Sequence, residues 1–185
     1  MSANAVAERP INKVYKENDP EMPAELRDLL TRVMSKHLEN VDNPHYDRLM
    51  IHLWERCMTL APDAETKRLL SKLMMQEVEH GAITASILKG LGVKGINAPI
   101  DQYLFELSLD TWCDLCYFHA LGDRVGMYVG ENWGDVPYEP LRSVAPRLHR
   151  DEVFHATLGY QNLTALCQTP EGLAQAQSLI GKWWP

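Results

Sequence analysis

A chain of 185 residues with 45% hydrophobic and 23% charged content is long enough to bury a single core and ordinary in charge for a globular domain. Its net charge of -7, with no cluster of Lys and Arg, argues against a nucleic-acid surface. No apolar run long enough to cross a bilayer is present, and the N-terminus lacks the basic-then-apolar order of a signal peptide, so a cytoplasmic protein is expected.

Residues 1–22 read as a flexible or loosely draped arm, closed by Pro20 and Pro23, and residues 23–185 as one helical domain. A helix is expected from Pro23 to Val41. Asn43 can cap a second, opened by Pro44 and running to about Leu60. After the Ala61-Pro62-Asp63 turn a long helix runs to about Lys89 and stops at Gly90 to Gly92. Another spans about Asp101 to Gly130, followed by a loop containing Gly134, Pro137 and Pro140. The next starts near Ser143, with Pro146 tolerable in its first turn, and ends before Thr169-Pro170. A short helix over Glu171–Lys182 leads into Trp183-Trp184-Pro185. No strand-like alternation appears, so the expected class is all-α. Cys113 and Cys116 form a Cys-x-x-Cys in mid-helix with no second pair; with Cys57 and Cys167 they read as small buried apolar residues.

Two copies of Glu-x-x-His, Glu77 with His80 and Glu152 with His155, carry the chemistry. Residues three apart share a helix face, so each copy projects a carboxylate and an imidazole together. Both point inward by periodicity. Leu69, Leu70, Leu73, Ile83, Ile87, Leu88 and Leu91 form a stripe that Glu77, His80 and Thr84 continue, while Glu79 falls on the outer row with Glu65, Arg68 and Lys72. Val144, Leu148, Glu152, His155, Leu158 and Asn162 repeat the pattern. Two carboxylates in an apolar seam cost several kcal/mol without a partner, and a metal is the simplest compensation. Ferritin-like dinuclear bundles use this pair of tetrads plus one carboxylate from each of two further helices.

Counting from the turns locates the further carboxylates. The turn near residue 62 puts Asp47 level with Glu77; Glu55 lies roughly 12 Å nearer the turn, and Glu39 becomes a candidate if the break at Pro44 is wide. An acidic first-turn residue is the competing role for Asp47. The loop near residue 137 puts Asp123 opposite Glu152, whereas Asp114 lies on the opposite side of its helix. His119 borders the Asp123 stripe and reads as a supporting or core residue.

Trp112-Cys-Asp-Leu, Gly122-Asp123-Arg-Val-Gly, Glu152-Val-Phe-His155 and Lys182-Trp-Trp-Pro185, with Ala61-Pro62 through Gln76-Glu77 to His80-Gly81, resemble the catalytic A subunit of the phenylacetyl-CoA epoxidase family over residues 24–185. The resemblance implies a ferritin-like four-helix bundle with an extra N-terminal helix or arm and a short C-terminal helix. It implies two Fe ions, with Mn possible, held by Asp47, Glu77, His80, Asp123, Glu152 and His155, of which Glu77, Glu152 and Asp123 are the catalytic carboxylates. Asp47 stands where the family has Glu, one methylene longer. Family members continue past the Trp-Trp-Pro with a segment that helps wrap the thioester, which implies a CoA pocket that is incomplete or supplied by another chain. The implied activity is a monooxygenase of phenylacetate catabolism, using O2, electrons from a separate reductase and an aryl-CoA thioester, in an oligomer with a related helical subunit. A ferritin-like iron-handling protein and a non-catalytic partner subunit are the alternatives. Trp54, Trp112, Phe118 and Met127 are candidate channel residues, and Trp183-Trp184 a candidate docking surface.

Overall fold

The computed structural model describes residues 13–35, 43–94 and 102–185. The protein is all-α, as its periodicity requires, with no strand among the described residues. Helix α1 spans Ala24–Ser35, α2 Pro44–Leu60, α3 Ala64–Gly90, α4 Tyr103–Glu106, α5 Trp112–Tyr117, α6 Asp123–Trp133, α7 Glu139–Leu166 and α8 Pro170–Trp183. A π-helical segment, Phe118–Gly122, joins α5 to α6.

The caps follow from local chemistry. The Asn43 side chain accepts from the His45 amide and opens α2 with Pro44 at its start, and Asp63 accepts from the Thr66 amide at 2.7 Å to open α3. Gly92, at φ 88°, turns the chain out of α3 through the left-handed region.

The helix expected from Asp101 to Gly130 is not continuous. Thr111 and Asp114 form a reciprocal capping box, each side chain bonding the other's backbone amide, and this starts a new helix at Trp112. Leu107 is extended between the short α4 and α5. Helix α7 begins at Glu139 rather than Ser143, because Pro140 fits its first turn; Pro146 therefore lies in the interior, where it removes one backbone hydrogen bond. The last six residues expected in the first helix lie outside the described residues.

Residues 13–22 are draped on the start of α7. The Tyr15 amide donates to the Pro137 carbonyl at 3.0 Å, and the Glu139 amide to the Tyr15 carbonyl at 2.8 Å. Helices α2 and α3 form an antiparallel hairpin, α3 packs on α7, and α7 packs along α5, the π segment and α6. Two apolar cores result. One gathers Ile87 and Leu88 of α3 and the following Leu91 with Leu141, Ala145 and Leu148 of α7; the other gathers Leu70, Leu73 and Met74 with Leu158, Leu115 and Trp183. Between them, along the α3–α7 contact, lie the two tetrads.

Candidate metal centre

Glu77, His80, Glu152 and His155 are all buried, and His155 has no exposed surface. They converge from α3 and α7. His155 Nδ1 lies 3.0 Å from Glu77 Oε1 and 3.8 Å from Glu152 Oε1; His80 Nδ1 lies 3.3 Å from Glu152 Oε1 and 4.0 Å from Glu77 Oε2. Each carboxylate thus reaches both imidazoles, whose ring centroids are 5.9 Å apart. One ligand atom each from Glu77, Glu152 and His155 lies within 4.8 Å of the others, a spacing that could hold a metal ion.

The outer imidazole nitrogens show why the inner ones face the carboxylates. Gln76 donates its amide to Asp151 Oδ1 at 2.8 Å, which turns its carbonyl toward His155 Nε2 at 3.1 Å. Asp151 Oδ2 receives His80 Nε2 at 3.4 Å. The residue preceding each tetrad therefore holds the histidine of the opposite helix. With the protons on Nε2, both Nδ1 lone pairs are turned inward, the orientation that partners of metal-bound histidines impose. His155 Nδ1 makes no hydrogen bond of acceptable geometry although it is enclosed beside a carboxylate, and a cation between the two groups would satisfy both. The donor set therefore fits a metal. Arg147 extends the network outward, with Nε 3.7 Å from Asp151 and a further bond to Glu79, on the water-facing row as expected.

Asp123 lies on the wall of the cavity that Glu77 and Glu152 also line, and accepts from His119 Nδ1 at 2.8 Å. Burial opposes charge on His119, but the Asp123 carboxylate and its hydrogen bond, with Cys57 beside Nε2 at 3.9 Å, raise its pKa from 6.5 to about 10. His119 is thus a charged support for Asp123.

The first-helix ligand departs from expectation. Asp47 is exposed and lines neither the cluster nor the cavity, and Glu55 is exposed too; Glu39 lies outside the described residues. Tyr46 takes the inward position, its hydroxyl donating to the Glu77 carbonyl at 2.7 Å. The count from the turn found the correct depth, but the face was one residue off, a rotation of about 100°.

Gly126 was not anticipated. Its Cβ would stand 2.7 Å from Glu152 Cδ, so the missing side chain is the space the carboxylate occupies. Close approaches pair Gly130 with His149, Gly126 with Glu152 and Gly159 with His119, which centres the α6–α7 hairpin near residue 139, about two residues past the expected midpoint. Gln76 and Asp151 were also missed; both sit four residues before a tetrad histidine, and that repeated placement was the available signal.

The cavity measures about 550 Å³. Leu49, Met50 and Leu53 of α2, Leu104 and Phe105 of α4, Phe118, and Val129 and Trp133 of α6 form much of its wall. Of the four expected channel residues only Phe118 lines it, and Trp54 is 44% exposed. The Cys-x-x-Cys thiols are buried, and burial pushes Cys113 up to about 11 and Cys116 higher, which suits apolar packing rather than thiolate chemistry. No protein-family model matches this sequence, and no curated protein matches it.

Proposed function

We propose that this protein is the catalytic subunit of a di-iron monooxygenase that inserts one atom of O2 into an organic substrate. The observation that carries this reading is a buried pair of carboxylates and a buried pair of imidazoles, Glu77, His80, Glu152 and His155, set between two apolar cores and against a cavity large enough for an organic molecule. The resemblance to phenylacetyl-CoA epoxidase catalytic subunits supports the same reading. A mixed oxygen and nitrogen donor set suits iron or manganese.

When bound, the metal pair supplies the redox chemistry: one oxygen atom goes to the substrate and the other leaves as water, with two electrons from a separate reductase and two protons. The chain's own work is binding and exclusion. Glu77, Glu152, His80 and His155 would hold the metal, each carboxylate lying within reach of both imidazoles and their Nδ1 atoms. Gln76 and Asp151 keep the ring protons on Nε2. Asp123, oriented by His119, stands at the cavity wall and would add a carboxylate on the side of the cluster that faces the substrate space. The apolar cores on either side keep bulk water from the cluster.

Protein produced with iron is expected to carry about two ions per chain, and Glu152→Ala and His80→Ala to lose the pair while the circular dichroism stays helical. Fewer than about one metal per chain, or full occupancy in both variants, refutes the assignment. With a reductase, O2 uptake is expected to match oxygenated product. Ferric iron accumulating without product would identify an iron-handling protein instead, a reading that leaves the apolar cavity without a use.

A further inference from the structure

The two imidazoles of the cluster stand in unlike surroundings. One ligand atom each from Glu77, Glu152 and His155 already lies within 4.8 Å of the others, with His155 Nδ1 3.0 Å from Glu77 Oε1. That nitrogen is enclosed and makes no hydrogen bond of acceptable geometry. His80 Nδ1 faces the other Glu77 oxygen, Oε2, at 4.0 Å and comes closer, at 3.3 Å, to Glu152. The rings also reach Glu152 from different ends of α7. His80 bonds Asp151, on the N-terminal side of Glu152, and the neighbouring Glu79 bonds Arg147, one turn earlier. His155 follows Glu152 on the C-terminal side.

Helix α6 adds a second difference. Gly126 meets Glu152 and Gly159 meets His119, two approaches that share the midpoint near residue 139 and so set Asp123 level with His155. His119 holds Asp123 there at 2.8 Å, and Asp123 shares the cavity wall with Glu77 and Glu152. At the level of His155, then, three carboxylates serve one imidazole. At the His80 end the added charge lies behind the ring, on Asp151, which also accepts from Gln76 at 2.8 Å and has Arg147 Nε at 3.7 Å. A carboxylate beside a cation attracts it more than one behind an imidazole that an arginine partly offsets, because the attraction falls with distance.

We infer that the two metal positions of this centre are unequal. The ion held by Glu77, Glu152, His155 and Asp123 enters first and is bound more tightly; the ion held by His80 enters second, depends on Asp151 and is the exchangeable one. This order rests on the dinuclear reading proposed above. Its consequence is that a chain short of metal carries a single ion, on the side of the cluster that faces the cavity.

The test is calorimetric titration of the full-length protein, stripped by chelator, with Mn(II) and, under argon, with Fe(II), followed by paramagnetic resonance of the Mn(II) samples. The parent is expected to show an isolated-ion spectrum up to about one equivalent and the broadened spectrum of a coupled pair beyond it. Two cations sharing carboxylates repel each other whichever enters first, so a stepwise curve alone does not identify the positions. The histidine variants do. His80→Ala is expected to bind one ion within about threefold of the parent's first step and to lose the second, whereas His155→Ala is expected to weaken the first step about a hundredfold. Asp123→Asn is expected to weaken the first step about tenfold, and Asp151→Asn to weaken the second alone by a similar factor. Where circular dichroism shows that an alanine variant has unfolded, glutamine at the same position replaces it. His155→Ala keeping the tight ion that His80→Ala loses, both variants losing all metal, or both keeping one ion with equal affinity would each overturn the order while a parent that binds two ions keeps the dinuclear centre. A parent that binds one ion or none of either metal removes the centre and the order together.

Discussion

Gly126 contributes by lacking a side chain. A methyl there would press on the Glu152 carboxylate, whereas the helix itself would gain about 0.5–1 kcal/mol from alanine in place of glycine. Gly126→Ala is therefore expected to leave the thermal midpoint unchanged or slightly raised and to lower metal occupancy, as measured by metal analysis on the same preparation; an occupied, unperturbed centre would show that Glu152 has room to move. Gln76 acts through the histidine it holds. Replacing it with leucine frees His155 Nε2 and leaves Asp151 with one donor fewer, so metal affinity is expected to fall about 10–100-fold with the helical spectrum intact. Competition with a chelator of known affinity reads that change directly. The tetrads themselves were legible because a three-residue spacing is a property of any α-helix. Tyr46 and Gly126 were not, since neither residue type signals a ligand site until its neighbour across the helix pair is known.

Among the helices, the break before α5 and the π segment after it decide which groups face the cavity. Asp114 and Asp123, on either side of the π segment, face different neighbours, and each finds its own partners. Asp114, 1% exposed, accepts from Lys182 at 2.7 Å and from the Trp183 indole at 3.0 Å, which fastens the end of α8 to the start of α5. Trp183 is accordingly buried, stacked on Tyr117 with centroids 6.1 Å apart, while Trp184 is 73% exposed; the expected docking pair divides into a packed residue and a surface one. Burial works to raise the Asp114 pKa, but the bonds from Lys182, Thr111 and Trp183 outweigh it and hold the value below the ordinary 3.8. A depressed carboxyl contributes stability in full above its unfolded value and loses it as pH falls through the folded one. Asp114→Asn is thus expected to cost about 1–3 kcal/mol near neutrality, and urea titrations of variant and parent should converge as pH drops below 3.8. A difference that persists in acid would assign the loss to shape rather than charge.

For the molecule as a unit, two apolar cores hold a polar centre between them, and the centre's carboxylates and imidazoles are spaced so that they could hold a cation. Metal binding to the native form is therefore expected to stabilise it, by about 2.7 kcal/mol when free metal exceeds Kd a hundredfold, and chelation to lower the thermal midpoint reversibly. A midpoint indifferent to chelator would remove the metal centre. No helix among the described residues is long and apolar enough to cross a membrane. The all-α class, most helix boundaries and the four tetrad residues could be read from the chain alone, because periodicity and capping are local and depend only on residues within a turn or two. The partners of those residues could not. Which residue of α2 faces Glu77, how far the α6–α7 hairpin is offset, and that Gln76 serves the histidine of α7 are set by rotation and sliding of packed helices, where one residue of shift moves a side chain by about 100° and no short-range pattern records it.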